Sequence, residues 1–307
     1  MAEWLGSGLQ NRVQRFESAR NLKPKESAQV ALFLFKPQIK AHIIMLFKAI
    51  IAAVEAGKAI LEVYKTEFDV DFKEDKSPLT LADRRADDII RQHMGNTGIP
   101  VISEEVEIPD YEIRKNWKQY WLVDPLDGTK EFVSRNGEFT VNIALIENNC
   151  PVMGVIYAPT LDLLYFSDRA GAHKIENAEL HVSECHSIEE LKSKSLALPF
   201  IKSSDEFILV ASRSHQNTET AIFIENIQKK YQNIKLVSKG SSLKLCMIAE
   251  GSADCYPRFG PTSEWDTAAG HAIVNAAGGK LLLTNDSDSE LAYNKTNLLN
   301  PSFVASR

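Results

Sequence analysis

Residues 121–129 of the chain read WLVDPLDGT, an apolar run that ends in two acids and a glycine. Asp124 follows the apolar residues, and the proline after it restricts its backbone toward an extended conformation. Gly128 allows a sharp turn, and Thr129 can begin a helix. The pattern therefore predicts a buried strand that leads into a tight turn, where the carboxylates of Asp124 and Asp127 meet.

Two carboxylates in one turn present hard oxygen ligands, the type that Mg²⁺ takes in proteins. The carbonyl of Leu126 between them is a further candidate ligand, and the backbone N–H groups of Gly128 and Thr129 can receive a phosphate. Taken alone, such a turn also has an ordinary explanation, because Asp side chains often cap turns that face solvent.

Further acids follow apolar runs or stand at predicted helix starts. Glu104 and Glu105 follow a short apolar run, Asp266 begins an alanine-rich segment, and Asp83 lies three residues after Thr80. Each has a plain alternative, either a solvated loop start or a helix cap. Together with the turn they are typical of a two-metal hydrolase site, in which one ion activates water and the other stabilises the leaving oxygen.

Hydrophobic periodicity around these motifs predicts the elements of the fold. Helical spacing begins near Ile43, and a second helix is predicted from Thr80 to Gly95. A β-hairpin is predicted from Phe139 to Tyr157, with its turn at two adjacent asparagines. Residues 183–206 are rich in Ser, Glu and Lys and are predicted to be a connection, after which strands and helices alternate.

The predicted organisation has three parts. Residues 1–40 show no sustained pattern and are predicted to be an N-terminal extension, poorly ordered in part. Residues 41–182 are predicted to form a metal-binding α+β domain. Residues 183–307 are predicted to form an α/β domain that completes the active site.

Composition narrows the functional class. The 307-residue chain carries a formal net charge of −6, so it has no strongly basic field for a nucleic acid polymer. A phosphorylated substrate would need local cations. The four cysteines form no C-x-x-C pair, which favours buried free thiols in a reducing compartment. Neither a transmembrane helix nor a secretory signal is evident, so we expect a cytoplasmic protein, with peripheral contact to the inner membrane face left open.

Two segments resemble the signatures of the inositol monophosphatase superfamily. Residues 121–129 resemble the first signature, residues 265–270 resemble the second, and Glu104 matches the metal-binding Glu that precedes them. The resemblance covers roughly residues 43–305. It implies an α/β fold, namely the layered α/β/α/β/α sandwich of the inositol monophosphatase and fructose-1,6-bisphosphatase type, with the site at the junction of its two domains.

Within that superfamily the chain is most similar to the CysQ-type 3'(2'),5'-bisphosphate nucleotidases. Five segments carry this likeness: Lys130–Phe132, Arg135–Leu145, Ser212–His215, Gly240–Lys244 and Tyr256–Pro261. The extension before residue 41 departs from the pattern and has no functional explanation.

The resemblance implies a site with two or three Mg²⁺ ions. One would be held by Glu104, Asp124 and the carbonyl of Leu126. A second would be shared by Asp124, Asp127 and Asp266.

The resemblance also implies catalytic and substrate-binding roles. Asp83 and Thr129, with Glu104, would orient and help deprotonate the attacking water. The implied substrate contacts are Gly128, Thr129, His215, Ser241, Lys244, Arg258 and Asp266.

The predicted reaction converts adenosine 3',5'-bisphosphate to AMP and phosphate, with the sulfated analogue as a second small-molecule substrate and with inhibition by lithium. Two alternatives stay open. The chain could prefer inositol monophosphate or a sugar bisphosphate, or it could be a metal-dependent nucleotide-binding regulator without turnover.

Overall fold

The computed structural model describes residues 24–66, 70–72, 78–200, 205–212 and 218–307. By its internal contacts the chain divides into two compact units, Met1–Met45 and Leu46–Arg307, and the second holds both large β-sheets.

The elements follow the chain in this order: α1 (Pro24–Tyr64), β1 (Val70–Phe72), β2 (Pro78–Thr80), α2 (Leu81–Gly95), β3 (Val101–Ser103), α3 (Tyr111–Arg114), β4 (Gln119–Asp127), α4 (Thr129–Val133), β5 (Thr140–Glu147), β6 (Cys150–Ala158), β7 (Leu163–Asp168), β8 (Gly171–Glu176), α5 (Ala178–Glu184), α6 (Ile188–Ser193), β9 (Leu196–Leu198), β10 (Phe207–Ser212), α7 (Thr218–Lys230), β11 (Ile234–Lys239), α8 (Leu243–Glu250), β12 (Cys255–Arg258), α9 (Glu264–Ala276), β13 (Lys280–Leu283) and β14 (Phe303–Ser306).

Helix α1 begins earlier than its periodicity predicts. It starts at Pro24 rather than near Ile43, so part of the predicted extension is helical. Proline is favoured at the first helical position, because its missing N–H would have no partner there. The periodicity misses this start because residues before Ile43 lack a regular apolar stripe. Residues 1–23 lie outside the described part of the chain.

The first sheet has seven strands in the order β3-β4-β5-β6-β7-β8-β9. Strands β3 and β4 pair in parallel, and the remaining neighbours are antiparallel. The predicted hairpin of β5 and β6 is confirmed. Asn148 and Asn149 have φ values of 49° and 63°, the left-handed conformation that a tight hairpin turn needs.

Residues 183–206 are not the plain connection that their composition indicates. They contain helix α6 and strand β9, and β9 pairs with β8 at the edge of the first sheet. Short edge elements carry too few residues for a periodic signal. The first sheet therefore extends to Leu198, and the domain boundary at residue 182 stays a prediction.

The second sheet has five strands in the order β11-β10-β12-β14-β13. Strand β10 pairs in parallel with β11 and β12, whereas β14 runs antiparallel to β12 and β13. The sequence does not predict β14, whose four residues lie between two strands that precede it in the chain. The predicted alternation of strands and helices is confirmed for the rest of this half.

Helix α9 connects the two sheets. It packs on β4 to β8 of the first sheet and also contacts β13 and α8. The approach is close: a Cβ atom on Gly154 of β6 would lie 2.2 Å from the carbonyl oxygen of Ala269. Small residues on both surfaces therefore bring the N-terminus of α9, with Asp266, to the end of β4.

The cysteines are only partly as expected. All four are free, and Cys185, Cys246 and Cys255 are buried, but Cys150 at the start of β6 is exposed. None of the helices in the described part of the chain combines the length and the hydropathy that a membrane span requires.

Candidate metal centre and phosphate pocket

The WLVDPLDGT segment forms a strand that continues further than predicted. Strand β4 runs to Asp127, and its pairing with β5 shifts between Asp124 and Asp127, which marks a bulge. The N–H of Leu126 donates to Oδ1 of Asp124 over 3.1 Å. Bulges bend a strand and redirect its side chains, so this irregularity replaces the predicted tight turn after Asp124.

Gly128 ends the bulge and precedes helix α4. Its φ of 90° lies in the left-handed region, where a side chain is strained. A Cβ atom there would lie 3.2 Å from Cβ of Ser241 and 3.3 Å from the carbonyl oxygen of Glu138. Glycine at this position therefore lets the loop before α8 approach the bulged segment that carries Asp124 and Asp127.

Three of the predicted acids form one cluster. Each of Glu104, Asp124 and Asp266 places a carboxylate oxygen within 4.8 Å of the other two. Glu104 follows β3, Asp124 lies near the end of β4, and Asp266 lies in the first turn of α9. Asp266 also accepts a hydrogen bond from the N–H of Ser263 over 2.9 Å, so it caps α9 and joins the cluster at once.

The electrostatics of the cluster favour a bound cation. Burial raises the pKa of Asp124 well above its ordinary value, and the charges of Glu104 and Asp127 raise it further. Burial also raises the pKa of Asp266, again with Asp127 and Glu104. Several like charges in a buried place cost free energy, and a divalent ion removes that cost. The donors are carboxylate oxygens, which fit Mg²⁺ or Mn²⁺.

Asp127 lies beside this cluster with a hydrogen-bond network that the sequence analysis did not identify. Its Oδ2 accepts from Oγ of Ser242 over 2.7 Å and from Nδ2 of Asn142 over 3.3 Å. A sequence signal does exist, since Thr140 and Asn142 are polar at alternate positions of an otherwise apolar strand. Both are buried.

The predicted catalytic residues lie near the cluster. Asp83 is buried in the first turn of α2, and its charge contributes to the raised pKa of Asp124. Oγ1 of Thr129 donates to the carbonyl of Leu126 over 3.4 Å. The roles of Asp83, Thr129 and Glu104 in activating water stay predictions.

One cavity of about 370 Å³ joins the acids to predicted substrate contacts. The predicted residues that line it are Glu104, Asp127, Gly128, Thr129, Ser241, Lys244, Arg258 and Asp266. Glu131 and Tyr256 also line the cavity, although the sequence predicts no role for either residue. His215 lies outside the described residues.

Two of the three cations that line the cavity are buried, and the third, Lys130, is exposed. Lys244 and Arg258 are 5% and 9% exposed. Burial lowers the pKa of Lys244 to about 8, although Asp127 opposes the shift. The buried Nε of Arg258 has no hydrogen-bond partner among the described residues. The same cavity is therefore lined by acids and by buried cations, and each group would be stabilised by a ligand of opposite charge.

The fold and site define a class of protein that comparison with known sequences bears out. Residues 45–306 match the family model of the inositol monophosphatase family, and the chain belongs to that family. This confirms the resemblance and the α/β fold that it implies.

Individual protein sequences and one crystal structure are also similar to the chain. The chain is 45% identical over 230 residues to the 3'(2'),5'-bisphosphate nucleotidase CysQ of Salmonella typhimurium, across 74% of this chain and 85% of the relative. It is 43% identical over 267 residues to the protein of the same name from Buchnera aphidicola, across 85% and 93%. The crystal structure of CysQ from Bacteroides thetaiotaomicron is similar with a TM-score of 0.79 and 49% identity, across 84% of this chain and 95% of that one.

Proposed function

We propose that the chain is a Mg²⁺-dependent 3'(2'),5'-bisphosphate nucleotidase that converts adenosine 3',5'-bisphosphate to AMP and phosphate. The observation that carries the proposal is that one cavity is lined both by acids and by two buried cations, Lys244 and Arg258. One phosphate of the substrate would bind the metal ions held by the acids, and the other would bind the two cations. The sulfated analogue has the same charge pattern and is the second proposed substrate.

The acids would hold the metal ions. Glu104, Asp124 and the Leu126 carbonyl are proposed for one ion, and Asp124, Asp127 and Asp266 for another. When bound, Mg²⁺ supplies Lewis-acid polarisation of the scissile phosphate and stabilises charge on the leaving oxygen.

The protein groups would position and move a proton. We propose that the carboxylate of Asp83 accepts the proton of the attacking water and that the hydroxyl of Thr129 orients that water, next to Glu104. The backbone N–H groups of Gly128 and Thr129 would hold the scissile phosphate. Attack is direct and in line, so positioning and charge neutralisation supply most of the rate.

Lys244 and Arg258 would bind the second phosphate. A phosphate contact would supply an acceptor for the buried Nε of Arg258 and an anionic partner for the desolvated ammonium of Lys244. Inositol monophosphate would leave these two cations without an anion, and the similarity to 3'(2'),5'-bisphosphate nucleotidases favours a nucleotide over a sugar bisphosphate.

The test is phosphate release in Mg²⁺, with adenosine 3',5'-bisphosphate and inositol 1-phosphate compared at equal concentration. We expect a strong preference for the nucleotide. A preference for inositol 1-phosphate would overturn the substrate assignment and leave the metal site intact. Tight metal-dependent nucleotide binding without hydrolysis would instead favour a regulator.

A further inference from the structure

The carboxylate of Asp127 is held by a chain of hydrogen bonds that passes through three buried side chains. Thr140, Asn142 and Ser242 are 0%, 1% and 3% exposed. Thr140 pairs opposite Asp127 and Asn142 opposite Asp124 in the β4–β5 register. Ser242 comes from the second half of the chain and directly precedes α8.

The direction of this chain follows from counting protons. The hydroxyl of Thr140 has one proton and is nearest to Oδ1 of Asn142, at 3.1 Å, whereas Oγ of Ser241 and Oδ2 of Asp127 lie 3.3 Å and 3.5 Å away. The amide of Asn142 then has its NH₂ group toward the acids. Nδ2 of Asn142 donates to Oγ of Ser242 over 2.8 Å and to Oδ2 of Asp127 over 3.3 Å. A flipped amide would place Oδ1 of Asn142 against Oδ2 of Asp127, with no proton between them, so only this orientation is favourable.

Ser242 completes the chain. Having accepted from Asn142, its hydroxyl has one proton to give, and the shorter contact is the 2.7 Å distance to Oδ2 of Asp127. The carbonyl of Asp266 lies 3.0 Å from the same hydroxyl, so Ser242 also lies next to the start of α9. Asn142 and Ser242 therefore both donate to the same carboxylate oxygen, Oδ2 of Asp127.

We propose that Ser242 and Asn142 are positioning residues for the metal centre, which saturate Oδ2 of Asp127 and thereby orient Oδ1 toward the cation. This inference rests on the proposed role of Asp127 as a metal ligand. Hydrogen bonds to a ligating carboxylate fix its orientation, and their loss typically weakens metal binding by about 10–100-fold.

The position of Ser242 gives this network a second consequence. Lys244 lies in the first turn of α8, two residues further on, and its Nζ donates to the carbonyl of Ser241 over 2.5 Å. The segment that places the cation for the second phosphate is therefore anchored directly on a metal-binding acid. Fixing the position of Asp127 therefore also fixes the distance between the metal centre and Lys244.

The test measures metal binding without turnover. Mn²⁺ binding to the full chain is followed by calorimetry and electron paramagnetic resonance, with no substrate present. Ser242→Ala and Asn142→Ala are each expected to raise the Kd of one bound ion by about 10–100-fold. Ser242→Cys keeps a weak donor and is expected to fall between Ser242→Ala and the wild type.

Ser167 supplies the matched control. It is a buried serine in β7 whose hydroxyl has no hydrogen-bond partner among the described residues. Ser167→Ala removes the same atom from a similarly buried place, so its Mn²⁺ affinity is expected to equal that of the wild type. Thermal unfolding in EDTA identifies any variant that has not folded, in which case the remaining variants decide.

The outcomes separate this inference from the proposed function. Wild-type Mn²⁺ affinity in folded Ser242→Ala and Asn142→Ala would overturn the positioning role, as would an equal loss in Ser167→Ala. If the wild type binds Mn²⁺ but releases no phosphate from the bisphosphate nucleotide, the proposed function fails while the positioning role can still be measured.

Discussion

Lys244 shows how burial prepares a residue for an anionic ligand. Its ammonium group donates to the backbone carbonyls of Lys239 and Ser241 and lies 5.6 Å from the centre of the Tyr256 ring. These contacts only partly replace water, and burial still lowers its pKa to about 8. The ammonium group therefore loses its proton closer to neutral pH than an exposed lysine does, unless an anion is bound.

This residue predicts a pH dependence of substrate preference. Below about pH 8 Lys244 is protonated and would attract the second phosphate of the proposed substrate, and above that pH it becomes neutral. The kcat/KM for adenosine 3',5'-bisphosphate, divided by that for inositol 1-phosphate, should fall by up to about tenfold for each pH unit above this pKa. The ratio cancels titrations that both substrates share. Steady-state kinetics from about pH 6.5 to about pH 9.5 provide the measurement.

Lys244→Met serves as the comparison, because it keeps the length of the side chain and removes the titrating group. Its ratio should be lower than that of the wild type at neutral pH and should not change with pH. A wild-type ratio that stays constant across this range would show that Lys244 does not select the second phosphate.

At the scale of elements, the contact of α9 with β6 decides where Asp266 lies. Gly154 of β6 faces the backbone of the helix, and the same helix carries Asp266 in its first turn. Backbone cannot yield as the end of a flexible side chain can. The element contact therefore sets the geometry of the metal centre from a distance.

We expect Gly154→Ala to destabilise the protein by about 1–3 kcal/mol, because the new methyl group would overlap the carbonyl of Ala269. It should also weaken Mn²⁺ binding, since the helix must move away from the sheet. Urea unfolding and metal titration measure the two effects.

Gly95→Ala is the matched control for this change. Gly95 ends α2 in an exposed place, and a Cβ atom there would meet nothing within 4 Å. Its stability should be unchanged or slightly raised. Equal stability of the two variants would contradict the importance of the α9–β6 approach.

At the scale of the whole molecule, metal binding and folding are linked through the buried acids. Burial and neighbouring acids raise the folded-state pKa of Asp124, so the metal-free folded protein retains a proton that the unfolded chain releases. The unfolded state therefore binds fewer protons, and metal-free stability falls as pH rises from the ordinary carboxyl pKa toward the raised folded value. A bound divalent ion removes this loss.

Asp124→Asn tests this linkage. In EDTA at about pH 7.5, the variant should unfold at a higher temperature than the wild type, because one buried charge is gone. Mg²⁺ at about 100 times its Kd should stabilise the wild type by about 2.7 kcal/mol and the variant far less. Hydrolysis should fall by more than about a hundredfold, since a proposed direct ligand of the metal is lost.

Thermal unfolding with and without Mg²⁺ checks the first two expectations, and phosphate release checks the third. A wild type that unfolds at the same temperature in EDTA and in Mg²⁺ would count against the metal centre, as would substantial Mg²⁺-dependent turnover in Asp124→Asn.

The sequence alone determined the parts of this protein that depend on neighbouring residues. The apolar run before Asp124, the hairpin turn at Asn148 and Asn149, and the helix ending at Gly95 are local patterns, and the structure contains each of them. The identities of the clustered acids could also be predicted, because each follows an apolar run or begins a helix. The family signatures predicted the fold because they too are local stretches of sequence.

Tertiary structure alone decided the remaining features. Strand β14 forms only because β12 and β13 offer it two edges, and the bulge in β4 appears only in its pairing with β5. Ser242 reaches Asp127 across 115 positions of the chain. Local propensity contains no information about such a contact, because its free energy arises only when distant segments are brought together and enclosed away from water.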